Sequence, residues 1–143
     1  MVMVGLAALI LLVVAAALAL SSTPSYAVDP TNPQSVALGK QVYDVQCASC
    51  HGANLEGQEG YGQPSEDGLL KAPPHDETGH TWHHNNAYLI ESIKKGGARL
   101  PADVGVSAMP PYENILKPAE IGAVLSYIQS TWPEEIAAQQ AMR

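Results

Sequence analysis

The run Cys47-Ala48-Ser49-Cys50-His51 constrains this chain more than any other feature. Two thiols stand three positions apart and an imidazole follows at once. This is the spacing of a c-type haem attachment sequence, in which each cysteine adds across one vinyl group. The adjacent histidine then lies under the porphyrin and can ligate iron from one face. The chain has 2 cysteines, so no other pair competes. A thioredoxin-like dithiol and half of a zinc site share the spacing. The first wants a strand-then-helix setting, and no strand pattern is found nearby. The second needs further thiols or histidines, and only the downstream histidines offer them.

Residues 1–20 are apolar or glycine without a break, and no charge precedes Asp29. At about 1.5 Å per helical residue, such a run spans roughly 30 Å, the width of a bilayer core. No basic residue precedes Lys40. Ser25-Tyr26-Ala27, however, has the small-x-small character of a cleavage site. Two readings follow: a signal removed after residue 27, or a retained membrane anchor. Either puts the rest on the periplasmic, extracytoplasmic side of a bacterial membrane, where such haem attachment takes place.

That remainder is one small domain of about 115 residues. It carries all 14 acidic and all 7 basic residues, for a formal charge of −7. The acidic balance argues against nucleic acid and anionic lipid headgroups as partners. It suits a redox partner with a basic or apolar docking face. Lys94, Lys95 and Arg99 form a local basic patch, whose lysines also complement a helix C-terminus.

Residues 21–31 are rich in Ser, Pro and Thr and read as a linker; the domain proper reads as 32–133. A first helix starts at Asn32-Pro33, a cap followed by proline. Val36, Gly39, Val42, Tyr43 and Cys47 fall on one face. Residues 52–79 have little periodicity, and a loop this long is expected to wrap something. A second helix spans 86–95 and ends at Gly96-Gly97. A third opens at Pro118 and stops before Pro133, with Ile121, Val124, Leu125, Ile128 and Trp132 as its apolar stripe. Residues 134–143 read as a polar tail with some helical propensity. No convincing strand pattern appears, so the fold class is all-α.

A histidine-bound iron takes methionine, histidine or nothing at its sixth position. Of Met1, Met3, Met109 and Met142, only Met109 lies inside the domain. Pro110 and Pro111 stiffen the backbone beside it. Ligation of iron is the reading preferred over core packing. His75, His80, His83 and His84 form a dense group with Asp76 and Glu77. They could bind copper or zinc, supply a bis-histidine haem, or bond propionates, backbone or water.

The chain resembles a class I cytochrome c, in the bacterial monohaem form with an N-terminal signal or anchor. Gly39 and Tyr43 ahead of the haem motif, Met109-Pro110, and Leu125-Ser126-Tyr127-Ile128 in the closing helix carry the likeness, over residues 32–132. The resemblance implies three main helices and long loops around one covalent haem c, besides the N-terminal apolar helix. It implies a close crossing of first and last helices at Gly39, with Tyr43 and Tyr127 beside it. It implies that a carbonyl of Pro73 or Pro74 accepts the Nδ1–H of His51, and that Trp82 contacts a propionate. The segment between haem motif and second helix is longer and richer in histidine than in minimal members. The implied function is one-electron transfer with His51 and Met109 as axial ligands. The carrier would be free or tethered, or a subunit of a respiratory or photosynthetic complex, serving oxidase, reductase or dehydrogenase subunits. An electron carrier of this kind is not itself an enzyme. The alternatives are a haem enzyme or gas sensor with an open iron position, and a copper or zinc module on the His-rich loop.

Overall fold

A computed structural model describes residues 25–143. The apolar run 1–20 and the start of the linker lie outside the described residues. Helix α1 is Pro33–Gln46, and the Asn32 side chain accepts the N–H groups of Gln34 and Ser35. A single turn, α2 (Ala48–His51), carries the second thiol and the imidazole. Helix α3 is Asn86–Lys95, capped by Asn85 and closed by Gly96 at φ +56°. Helix α4 is Pro118–Ser130, with the Glu120 carboxylate accepting the Lys117 N–H at 2.7 Å. Helix α5 is Glu134–Ala141.

The core is the crossing of α1 with α4. A Cβ on Gly39 would lie 1.9 Å from the carbonyl oxygen of Ala123, so only glycine lets the backbones meet here. Tyr43 is fully buried beside the crossing, with its ring 5.4 Å from that of Tyr127. Helix α4 is buried beyond the expected stripe: Gly122, Ala123, Ser126 and Gln129 are covered too. Gln129 donates to Asn86 Oδ1 at 2.6 Å, and for Gly122 and Ser126 the reason is on the other side of the helix. The chain before α1 packs there, with the Ala27 carbonyl so close that a Cβ on Gly122 would come within 2.4 Å. The Asp29 N–H donates to Ser126 Oγ at 2.9 Å. Residues 26–29 are therefore docked on the domain, where the composition suggested free linker.

The C-terminal residues also differ from expectation. Helix α5 sets Ile136 and Ala137 against the cluster of Tyr43, Leu55, Val124, Ile128 and Trp132. Its Gln140 is buried and donates to Asn86 Oδ1 at 2.9 Å and to the His84 carbonyl at 3.2 Å. Strand structure is minimal but present. β1 (Leu69–Leu70) and β2 (Val106–Ser107) pair in parallel, Leu69 with Val106 and Leu70 with Ser107. Two-residue strands are too short for an alternating pattern to register in sequence. Among the described residues no helix is long and apolar enough to cross a membrane.

Candidate haem site

Cys47 closes α1, its N–H bonded to the Tyr43 carbonyl at 2.9 Å. Cys50 follows on α2. Both thiols are free, Cys47 half-buried and Cys50 exposed. Burial, with Cys50 beside it, pushes the Cys47 thiol up to about 11. A reactive dithiol needs its thiol shifted the other way, so the setting does not suit redox exchange.

His51 is 8% exposed. Its Nδ1 lies 2.9 Å from the Pro73 carbonyl oxygen. A carbonyl can only accept, so Nδ1 carries the hydrogen and the Nε2 lone pair is left free for a metal. Burial lowers the pKa of His51, partly offset by this hydrogen bond, and keeps the ring neutral. Pro73 and not Pro74 is the partner. The Pro74 carbonyl instead faces the Thr81 hydroxyl at 3.4 Å. Around the turn, Tyr43 donates its hydroxyl to the Gly52 carbonyl at 2.9 Å, and Gly57 donates its N–H to the His51 carbonyl at 2.7 Å. The attachment turn is thereby fixed from both ends.

Met109 is half-buried against Tyr112, Leu116 and Ile121. Its N–H donates to Ser107 Oγ at 3.2 Å, and its carbonyl accepts the Gly97 N–H at 2.8 Å. A Cβ on Gly96 would sit 2.4 Å from the carbonyl oxygens of Met109 and Pro110, so the sulfur-bearing loop lies directly on the end of α3. The N–H groups of Tyr112 and Glu113 bond to the carbonyls of Ile93 and Lys94. The Tyr112 hydroxyl donates to the Gln46 carbonyl at 2.7 Å, one residue before Cys47. That bond joins the methionine loop to the attachment turn. Nothing local in the sequence marks Tyr112 for the task.

The histidine group does not hold together. His75 stacks on His51 with ring centroids 4.1 Å apart. His83 lies on Trp82 at 3.7 Å, and His84 lies on Tyr88 at 4.0 Å. His80 meets His84 edge-on, with centroids 5.6 Å apart, while the other three rings each stack on a different aromatic neighbour. Among the described residues no group of three or more His, Cys, Asp or Glu is arranged to hold a metal ion, which counts against the copper or zinc module. The basic patch is only partly neutralised. Lys94 and Lys95 both pair with Glu91, and Arg99 lies 3.6 Å over the ring of Tyr88.

One observation tests whether a porphyrin suits these residues. Trp82 Nε1 is the single buried side-chain nitrogen or oxygen without a hydrogen-bond partner among the described residues. Buried N–H groups are rarely left so, and a propionate oxygen is the acceptor this one lacks. The donor set is also right: two thiols, one imidazole with a free Nε2, and one thioether. Two surface recesses, of about 480 and 320 Å³, are lined by none of Cys47, Cys50, His51 and Met109.

Residues 36–132 match the family model for cytochrome c. The chain belongs to the cytochrome c family. Its cofactor is accordingly covalently bound haem c. The cytochrome is 33% identical over 129 residues to the cytochrome bc1 complex cytochrome c subunit of Mycobacterium bovis, covering 88% of this chain and 40% of that protein. The subunit of the same name from Mycobacterium leprae is 31% identical over 150 residues, covering 97% and 46%. The cbb3-type cytochrome c oxidase subunit FixP of Sinorhizobium medicae is 26% identical over 114 residues, covering 79% and 36%. The cytochrome thus spans less than half the length of these relatives. No solved structure matches it significantly.

Proposed function

We propose that this cytochrome is a one-electron carrier acting as the cytochrome c module of a membrane respiratory complex. Cys47 and Cys50 would hold the haem through thioether bonds. His51 Nε2 and the Met109 sulfur would ligate its iron, and Trp82 would donate to a propionate. The long helices and the loop 52–79 would wrap the haem. The observation that carries the reading is the buried His51 ring with Nδ1 bonded to the Pro73 carbonyl. It orients an imidazole for ligation and makes Nε2 the more basic atom.

The bound haem supplies a metal that takes and returns one electron. The chain's own residues do the rest. Pro73 fixes the tautomer of His51, and Tyr112 and Gly96 hold the Met109 loop in register with the attachment turn. Thioether donates weakly to ferric iron and so favours the ferrous state. Two protein ligands leave no coordination site for a substrate, which favours electron transfer over haem catalysis or gas sensing. The cytochrome is on this reading not an enzyme by itself.

The relatives are named as subunits of a bc1 complex and a cbb3 oxidase, which supports partners of that class: membrane-bound oxidoreductase subunits on the periplasmic side. Membrane attachment rests on the sequence of residues 1–20. The docking of residues 26–29 on α4 favours the retained anchor over cleavage after residue 27, since cleavage there would strip Tyr26 and Ala27 from the packed domain. Intact mass of membrane-extracted protein reports both the anchor and the haem. A mass equal to the chain from residue 28 plus haem would refute the anchor. Axial ligation is read from the ferric near-red sulfur-to-iron charge-transfer band. Absence of that band, with rapid carbon monoxide binding by the ferrous form, would refute the carrier.

A further inference from the structure

His75 touches the axial imidazole itself. Its ring lies over that of His51, with centroids 4.1 Å apart and planes 21° apart. Three ties immobilise it. Its N–H donates to the Leu55 carbonyl at 2.7 Å. Its carbonyl accepts the indole N–H of Trp132 at 2.8 Å. Its Nδ1 lies 2.8 Å from the Thr81 hydroxyl. The ring of Tyr43 meets it edge-on, at 6.4 Å between centroids. Leu55, which supplies one of these ties, holds a positive φ of 71°, unfavourable for a branched side chain, while its own side chain stays 97% covered in the core, at 3% exposure.

The single hydrogen bond from His51 Nδ1 to Pro73 fixes the tautomer but is tolerant in angle. The ring can still rock about that bond. A flat neighbour at van der Waals distance on one face removes that freedom. Packed residues lock a functional ring most effectively when their own rotamers are locked, and His75 meets that condition: Thr81 holds its ring, while Leu55 and Trp132 hold its backbone.

We infer that His75 is a positioning residue, held by Thr81, that sets the rotational orientation of the His51 imidazole plane at the haem iron. This rests on the reading of His51 as axial ligand. A positioned ligand plane fixes which iron orbital holds the unpaired electron, and so the direction in which the electron is best delivered.

The test uses the haem-loaded protein and reads the ferric state by electron paramagnetic resonance and by the hyperfine-shifted haem-methyl proton resonances. Both depend on the orientation of axial ligand planes. His75→Leu removes the flat face and should reorder the haem-methyl resonances and shift the g values. His75→Phe keeps a flat face without the Thr81 tie, and Thr81→Val cuts the tie alone. Both should shift the pattern in the same sense, by less than His75→Leu. A purely structural role would lower the melting temperature and leave these patterns alone. Wild-type patterns in His75→Leu overturn the inference. So does an unshifted Thr81→Val, even if His75→Leu fails to take up haem. A wild type lacking a low-spin, histidine-ligated ferric spectrum would refute the ligation reading itself, an outcome distinct from unmoved variants in a correctly ligated protein.

Discussion

At the scale of single residues, the site is a set of atoms each left with one free valence. Nε2 of His51 is free because Nδ1 is bonded to Pro73, and Trp82 Nε1 is free because the fold gives it no acceptor. Met109 contributes a side chain whose loop is bonded through its backbone, leaving sulfur uncommitted. Replacing Met109 by alanine should abolish the near-red band, open the ferrous form to carbon monoxide and lower the reduction potential, within the ~0.8 V that axial ligands command. Retention of the band would assign the sixth ligand elsewhere. The buried His75 ring also predicts a pH dependence of stability. Burial, with the His51 and His80 rings beside it, lowers its pKa well below the usual 6.5. The unfolded chain takes up this proton first, so its contribution is complete above about pH 6.5 and is lost as pH falls from there towards the folded value. It contributes a slope of about 1.4 kcal/mol per pH unit inside that window. Denaturant midpoints between pH 7.5 and 5 should fall accordingly, and His75→Phe should remove this share of the slope. Equal slopes in the wild type and His75→Phe would show that the ring is charged in the folded state.

At the scale of elements, what the sequence discloses is what local chemistry dictates. Asn32-Pro33 announces α1, Asn85 and Gly96 bracket α3, and the Ile121-to-Trp132 stripe marks α4, because caps, proline and periodicity act within a few residues. Where partners are far apart in sequence, the reading stops short. Helix α5 begins with two glutamates and ends in glutamines, so it looks solvated. Its burial depends on Gln140 reaching His84 and Asn86. Four histidines within ten residues look like one cluster, yet three of the rings stack on His51, Trp82 and Tyr88 and only His80 and His84 meet, edge-on. Docking of residues 26–29 is hidden for the same reason, because its anchor lies 97 positions away at Ser126. That hydroxyl is fully buried. It accepts from Asp29 N–H and from Ser35 Oγ at 3.0 Å, and donates to the Gly122 carbonyl at 2.9 Å. Ser126→Ala should therefore destabilise by about 1–3 kcal/mol, the cost of stranding buried partners. It should also speed amide exchange at Asp29 and expose residues 25–29 to protease. Unchanged exchange at Asp29 would mean that the segment is held by Tyr26 packing alone.

At the scale of the whole molecule, charge and shape set who can approach. The formal charge is −7, and the lysines that might have made a local basic face are occupied. Lys40 pairs with Asp44 at 2.7 Å, and Lys94 and Lys95 share Glu91. Such pairs add little stability, and they offset the charge of Lys40 and of one of the two lysines that share Glu91. The net negative field should attract cations and repel anions over a Debye length, about 30 Å at 10 mM salt and 10 Å at 100 mM. Reduction of the ferric protein by hexaammineruthenium(II) should therefore slow as salt rises through this range, and reduction by ferrocyanide should quicken. Small reagents exchange electrons where the haem is most accessible, so the sign of the salt effect reports the field at that point and not the average over the surface. If both rates fall with salt, the two reagents react at different places of opposite local charge, and docking is governed by local charges. If only the ferrocyanide rate falls, the edge is basic despite the net charge, and the physiological partner should present an acidic face. The expected pair of opposite slopes instead calls for a basic or uncharged partner surface. A protein held close to its membrane partner by residues 1–20 would need little more than that, because tethering replaces long-range steering with a high local concentration.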